Sequence, residues 1–103
     1  MRALIDGLRY DTQSAEEVAR ATSPRDDTDL CYYDEGLYLS PNGTWFLAGR
    51  GNAGTKYASP MGHYLGSGER IIPLRPHDAR AWLEFYGLLD LLEACFPDAV
   101  RDA

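Results

Sequence analysis

The sequence predicts an α+β protein: a small antiparallel or mixed sheet of about five strands, with one short N-terminal helix and a C-terminal helix or helix pair packed on it. Three observations carry this. Asp6-Gly7 and Pro41-Asn42-Gly43 each sit between β-prone runs, and such pairs favour hairpin turns because they tolerate positive φ. Ala79, Trp82, Phe85, Tyr86, Leu89, Leu92 and Phe96 recur at three- and four-residue steps, which marks one buried helical face. The order of elements, β-β-α-β-β-β-α(α), lacks the regular strand–helix alternation of a parallel α/β fold.

Taken in order, Arg2 to Ile5 and Leu8 to Asp11 form the first expected hairpin. Ser14-Ala15-Glu16-Glu17 spells a capping box, so a short helix is expected at 14–22, with Ala15, Val18, Ala19 and Thr22 on one side and Ser23-Pro24 ending it. A polar loop, PRDDTD, follows at 24–29. Leu30 to Ser40 is aromatic and β-prone, and Asn42-Gly43 turns it into Thr44 to Ala48. Residues 49–68 hold six glycines and read as mostly loop, with one helical turn expected at 55–59. Glu69 to Leu74 reads as the last strand, with Pro73 implying a strand edge or end. Pro76 suits a helix's first turn, Gly87 divides the C-terminal helix into about 76–86 and 88–95, and the tail AVRDA is expected to fray.

The 103 residues suit one domain spanning 1–103. No apolar run reaches the ~20 residues of a membrane span, and the N-terminus lacks a secretion-signal core, so a cytoplasmic location is expected. Cys31 and Cys95 then read as buried free thiols, and the sequon at Asn42 as a turn. Net charge is −6, distributed unevenly: −5 over 1–43, +3 over 44–77 and −4 over 78–103. Such a protein is repelled by nucleic acid and attracted to basic surfaces, including the nucleic-acid grooves of other proteins.

Gly49-Arg50-Gly51-Asn52-Ala53-Gly54 matches G-x-G-x-x-G, with Glu69 about twenty residues on, the spacing of a dinucleotide fingerprint. That mechanism needs a helix beginning at the last glycine, and Pro60 and Gly62 leave no room for one. The motif therefore reads as a glycine-rich, weakly basic surface loop, and no cofactor is expected. Arg50, Asn52 and Lys56 form a secondary candidate surface for an anionic group on a partner. His63 and His77 stand alone, and neither lies at metal-ligand spacing. Cys31 and Cys95 lack activating neighbours. No catalytic residue, metal or enzymatic activity is expected.

The sharpest feature is Asp26 to Glu35. It holds Asp26, Asp27, Asp29, Asp34 and Glu35, no base, and Tyr32 and Tyr33. Carboxylates beside tyrosines suit the binding of arginine and lysine, so these seven residues are the expected partner-binding site. Tyr38, Trp45 and Phe46 are assigned to the core by strand alternation.

The segments IDGLRYDTQSAEEVA (5–19), GLYLSPNGTWFLAGRGNAGTKYA (36–58) and IIPLRPHDARAWLE (71–84) resemble a family of short, largely uncharacterised proteins encoded on phages, plasmids and integrated elements. Proteins of this size and origin include anti-CRISPR inhibitors. The resemblance implies a stoichiometric inhibitor that binds a protein partner, such as a CRISPR–Cas subunit, and neither nucleic acid nor membrane directly. It also implies a structural role for the glycine turn. The alternatives are a regulatory or accessory protein-binding module of a mobile element and, further off, a small nucleotide-binding enzyme using Gly49–Gly54.

Overall fold

The computed structural model describes residues 1–103. Strands β1 (Arg2–Ile5) and β2 (Leu8–Asp11) pair through a turn in which Asp6 (φ 51°) and Gly7 (φ 80°) both have positive φ, the geometry a two-residue type I′ hairpin requires. Four strands form the main sheet: β3 (Glu16–Thr22), β4 (Tyr33–Leu39), β5 (Trp45–Gly51) and, after a separate hairpin of β6 (Ser59–Met61) and β7 (Tyr64–Gly66), β8 (Gly68–Leu74). Its order is β3-β4-β5-β8, antiparallel throughout. Helices α1 (Pro76–Phe85) and α2 (Leu89–Cys95) follow, then a 3-10 turn at Pro97–Ala99. The class is α+β as expected, but eight strands lie in three sheets rather than about five in one.

Strand alternation explains the layering. Leu37, Leu47 and Ile72 are neighbours across β4, β5 and β8. With Trp45 and Ala21 they face Ala79, Trp82, Leu83 and Leu92 of the helices. The intervening residues Tyr38, Phe46, Ala48 and Ile71 point the other way, where Tyr10 of β2 meets them. Tyr38 stacks on Phe46 with centroids 5.3 Å apart, and Tyr10 meets Phe46 edge-on at the same distance. A sheet apolar on both faces needs two covers. The N-terminal hairpin is therefore the second cover, not an extension of the sheet. Tyr38, Trp45 and Phe46 are buried as expected. Pro73 lies on β8, an edge strand where its missing N–H breaks no ladder.

The helix expected at 14–22 is instead β3. The register between β3 and β4 shifts between Glu17 and Ala19, a β-bulge. Val18 and Ala19 consequently both pack on the helix-side core, while Glu17 and Arg20 pair with each other beside Tyr38. A bulge inserts one residue into a period of two and so imitates the three- and four-residue steps of a helix. Ser14 is no cap either: its hydroxyl donates to the Asp11 carbonyl, and the amide of Gln13 donates to the Asp11 carboxylate. A helix this short is marginal alone, and β4 offers it a full ladder.

The helix pair falls close to its expected limits. Pro76 opens α1, where the Asp78 carboxylate accepts from the Arg75 amide at 3.0 Å. Gly87, at φ 65°, separates the helices. The buried arc of α1 is Ala79, Trp82 and Leu83, with Tyr86 half-buried. Phe85 (79% exposed) and Leu89 (54%) lie outside it: at 100° per residue Phe85 falls on the flank of α1 away from this arc, and Leu89 follows the break at Gly87. The tail is only partly free, since Ala99 and Val100 pack against the core. Cys95 is half-buried and Cys31 is exposed; both are free thiols. No helix is long and apolar enough to cross a membrane.

Trp82 joins α1 to the sheet. Trp82→Ala should cost about 3–5 kcal/mol, as large core truncations do, read as a lowered midpoint in urea. An unchanged midpoint would show that α1 does not anchor through this residue.

Candidate functional site

The acidic segment divides into a surface loop and a strand. In the loop, Asp26 accepts from the Thr28 amide (3.0 Å) and hydroxyl (2.9 Å), which hold its carboxyl below the usual aspartate range. Asp29 accepts from the Cys31 amide at 2.8 Å and lies 3.5 Å from Arg25. Asp26 and Asp27 are exposed; Asp29 and Tyr32 are half-buried. These side chains turn the loop back on itself and leave its outer carboxylates facing water.

The glycine-rich segment clamps this loop from behind. The Asn52 side-chain amide donates to the carbonyls of Asp27 (2.9 Å) and Asp29 (2.7 Å). The Asn52 backbone donates to Tyr32, and that of Gly54 to Leu30. Asp27 and Tyr32 of the acidic stretch and Arg50 and Asn52 of the glycine-rich segment thus line one polar cleft of about 380 Å³, together with Glu69 among others. Asp27 and Glu69 can accept from a guanidinium or ammonium group, and the Tyr32 ring supplies a face for it to stack on. Arg50 shares the cleft, so an incoming cation must be placed away from it.

Asp34 and Glu35 behave differently from the loop and from each other, because adjacent strand residues point to opposite faces. Asp34 is tied to Arg20 (3.0 Å) and Thr22 (2.9 Å). Partial burial works to raise its carboxyl, but these partners hold it below the ordinary value. Glu35 is buried, 1% exposed, and so cannot meet a partner as expected of it. It accepts from Tyr57 Oη (2.7 Å) and Lys56 Nζ (2.7 Å) at Oε1, and from Trp82 Nε1 (2.8 Å) at Oε2. Tyr86 Oη lies 3.5 Å from Oε2 and 2.6 Å from Tyr33 Oη. Burial pushes the Glu35 carboxyl up, yet Lys56, Tyr57 and Trp82 outweigh it and hold the group ionised below the usual glutamate range. Burial and the neighbouring carboxylate push the Tyr57 hydroxyl far upward; burial and Tyr33 do the same for Tyr86. Both therefore stay protonated donors.

Of the expected contact residues, then, Tyr33, Glu35 and Lys56 belong to an internal network, and Asn52 to a clamp. Tyr57, Trp82 and Tyr86, which complete the network, had no such role in the sequence reading. One signal was available: Tyr33, Glu35, Leu37 and Leu39 share a strand phase, so the phase that buries Leu37 also buries Glu35.

The glycines of 49–54 make room for these contacts. Gly49 and Gly51 belong to β5 and are buried, not on a surface loop. A Cβ on Gly49 would stand 2.6 Å from the Tyr57 ring and 2.7 Å from Glu35 Cβ; one on Gly51 would overlap the Thr55 side chain; one on Gly54 would meet the Leu30 carbonyl at 2.9 Å. The chain then makes four-residue turns at Asn52–Thr55 and Thr55–Ala58, with no helix to receive a pyrophosphate. No three His, Cys, Asp or Glu side chains gather as a metal-binding group. Comparison with protein-family models, curated proteins and solved structures gives no match.

Glu35 sets an acid limit on stability. Its folded pKa lies below its unfolded value, ~4.3, so its contribution is complete above that value and is lost as pH falls through the folded pKa. Asp34, also lowered, adds to the same window. Glu35→Gln should be destabilised at pH 7 by about 1–3 kcal/mol, because its amide meets donors where the carboxylate met them. Its stability should also fall less steeply than the wild type's below about pH 4. Melts from pH 3 to 7 check both, and an equal acid slope in the two proteins would refute the assignment.

Proposed function

We propose that this chain is a non-enzymatic, mobile-element-encoded inhibitor that binds stoichiometrically to a basic nucleic-acid-binding surface of a protein partner, the leading candidate being a CRISPR–Cas complex. One observation carries the reading: Asp26, Asp27 and Asp29 are held on a hydrogen-bonded loop that borders, with Tyr32 and Glu69, a polar cleft. A loop fixed in advance loses little conformational entropy on docking, and its carboxylates can replace the phosphates such a surface normally meets. Asp34 and Glu35 lie outside this contact set, the first paired with Arg20 and the second buried.

The test begins with capture of the partner from a bacterial lysate on immobilised protein, identified by mass spectrometry. Titration should then saturate at an equimolar ratio, where an enzyme would act far below it. Affinity should fall with salt as the Debye length shrinks from ~10 Å at 0.1 M to ~3 Å at 1 M. Replacing Asp26, Asp27 and Asp29 together by Asn keeps the oxygens that accept from Thr28 and Cys31, so the fold should persist. Affinity should drop at least ~tenfold, or ~1.4 kcal/mol. Glu84, Asp90 and Glu93, exposed on the helices, serve as the control set. Equal losses from both sets would mean that only net charge matters; loss from the helical set alone would move the interface to the helices.

A further inference from the structure

The polar cleft bounded by Asp27, Tyr32 and Glu69 also reaches Ser67 and Gly68, where β7 passes into β8. These two residues are the base of the β6–β7 hairpin. The hairpin pairs Pro60 with Leu65 and Met61 with Tyr64 around Gly62 at φ 70°, and it packs chiefly against itself. Pro60, Met61, Tyr64 and Leu65 are all exposed. Directly paired residues share a face, so Met61 and Tyr64 lie on one side and Pro60 and Leu65 on the other. Whichever side turns toward the cleft is therefore apolar. No Asp, Glu, Lys or Arg occurs from Tyr57 to Gly68, in a chain where one residue in four is charged.

The charges of the cleft are unpaired. The molecule's ion pairs join Arg20 to Glu17 and Asp34, Arg25 to Asp29, Lys56 to Glu35 and His77 to Asp78, and neither Asp27 nor Glu69 takes part in them. Arg50 stands directly opposite Glu69 across β5 and β8, yet it forms no ion pair either. Two carboxylates against one guanidinium leave the cleft with one negative charge in excess. Leu65 is two residues from Ser67 and Tyr64 three, or ~7–10 Å along an extended strand. A bound chain spans that distance in two or three residues.

We propose that cleft and hairpin form one docking surface, whose occupant is a partner-protein segment carrying an arginine flanked by apolar side chains. This rests on the reading that the Asp27 loop faces the partner. The arginine enters the cleft. Its planar guanidinium has donors enough for both Asp27 and Glu69, can stack on the Tyr32 ring, and is less strongly hydrated than an ammonium group. The residues beside it fall on the hairpin, where Leu65 or Tyr64 meets them. A two-stranded hairpin is marginal in water by itself and gains stability from such a cover. Charge selects the class of partner. An acid-rich cleft in a chain of net charge −6 repels phosphates and a second copy of the chain alike, and it attracts a cation. The two halves then act differently: the carboxylates steer encounter, and the apolar contact slows dissociation.

The test is an NMR titration of the isotope-labelled full chain with capped pentapeptides: Leu-Leu-Arg-Leu-Leu, Gly-Gly-Arg-Gly-Gly and Leu-Leu-Lys-Leu-Leu. The first should saturate and shift the amide signals of Asn52, Gly68 and Glu69 together with those of Tyr64 and Leu65. The glycine and lysine peptides should each bind at least ~fivefold more weakly. Tyr64→Ser with Leu65→Ser should reduce the leucine–arginine peptide to the affinity of the glycine peptide and leave the glycine peptide unchanged. Asp27→Asn with Glu69→Gln should weaken both arginine peptides at least ~fivefold. All four side chains are exposed, so signals elsewhere should stay in place and report an intact fold. No saturation by about 10 mM, far weaker than any specific contact of this kind, would overturn the proposal. So would a hairpin variant that keeps the preference for leucine, or lysine bound as tightly as arginine. A cleft that saturates while no partner is captured would count against the inhibitor reading alone, and a captured partner without peptide binding against this docking surface alone.

Discussion

The carboxylate of Glu35 is the point where the structure's parts meet. It belongs to β4 at the centre of the main sheet, its indole donor to α1, and its ammonium and phenol donors to the segment after β5. A buried carboxylate without partners would cost several kcal/mol. Here both oxygens are occupied, and no buried side-chain polar atom lacks a partner. Such an arrangement specifies more than it stabilises: hydrophobic contacts hold α1 near the sheet, but only one orientation brings Trp82 Nε1 to Oε2. The Lys56 side chain is 46% exposed, so of the two charges in the pair only that of Glu35 is fully buried.

That network also places the candidate binding surface. Tyr57 can lie over Glu35 because Gly49 has no side chain, and the Tyr57 position fixes the turns from Asn52 to Ala58. Asn52, held in those turns, clamps the loop carrying Asp26, Asp27 and Asp29. One stretch of chain, from Asn52 to Tyr57, thereby touches both the core carboxylate and the surface acidic loop. The G-x-G-x-x-G letters record this close packing of backbone against side chains, a requirement glycine meets here without any phosphate.

Much of this was legible in the sequence. The two hairpin turns were, because Asp-Gly and Asn-Gly act locally. So were the helix pair divided at Gly87 and the burial of Tyr38, Trp45, Phe46 and Trp82. Local rules failed where tertiary structure intervened. The bulge at Val18–Ala19 gave a strand the spacing of a helix. The apolar reverse face of the sheet drew the N-terminal hairpin across it rather than alongside. Glu35 read as one of five surface acids because composition does not distinguish two neighbours on a strand, although their phase does. Its donors come from 21 to 51 positions away along the chain, and no short-range pattern announces such convergence.

The central claim is that Glu35 joins α1 and the glycine segment into one unit, and a double-mutant cycle addresses it directly. Tyr57→Phe and Trp82→Phe remove donors from different oxygens of the same carboxylate, and urea denaturation of both single variants, the double variant and the wild type gives their coupling. Members of one hydrogen-bond network couple by ~0.5–3 kcal/mol. The account predicts a value in that range, abolished when the cycle is repeated on a Glu35→Gln background. Additivity within ~0.3 kcal/mol, as for independent sites, would contradict it.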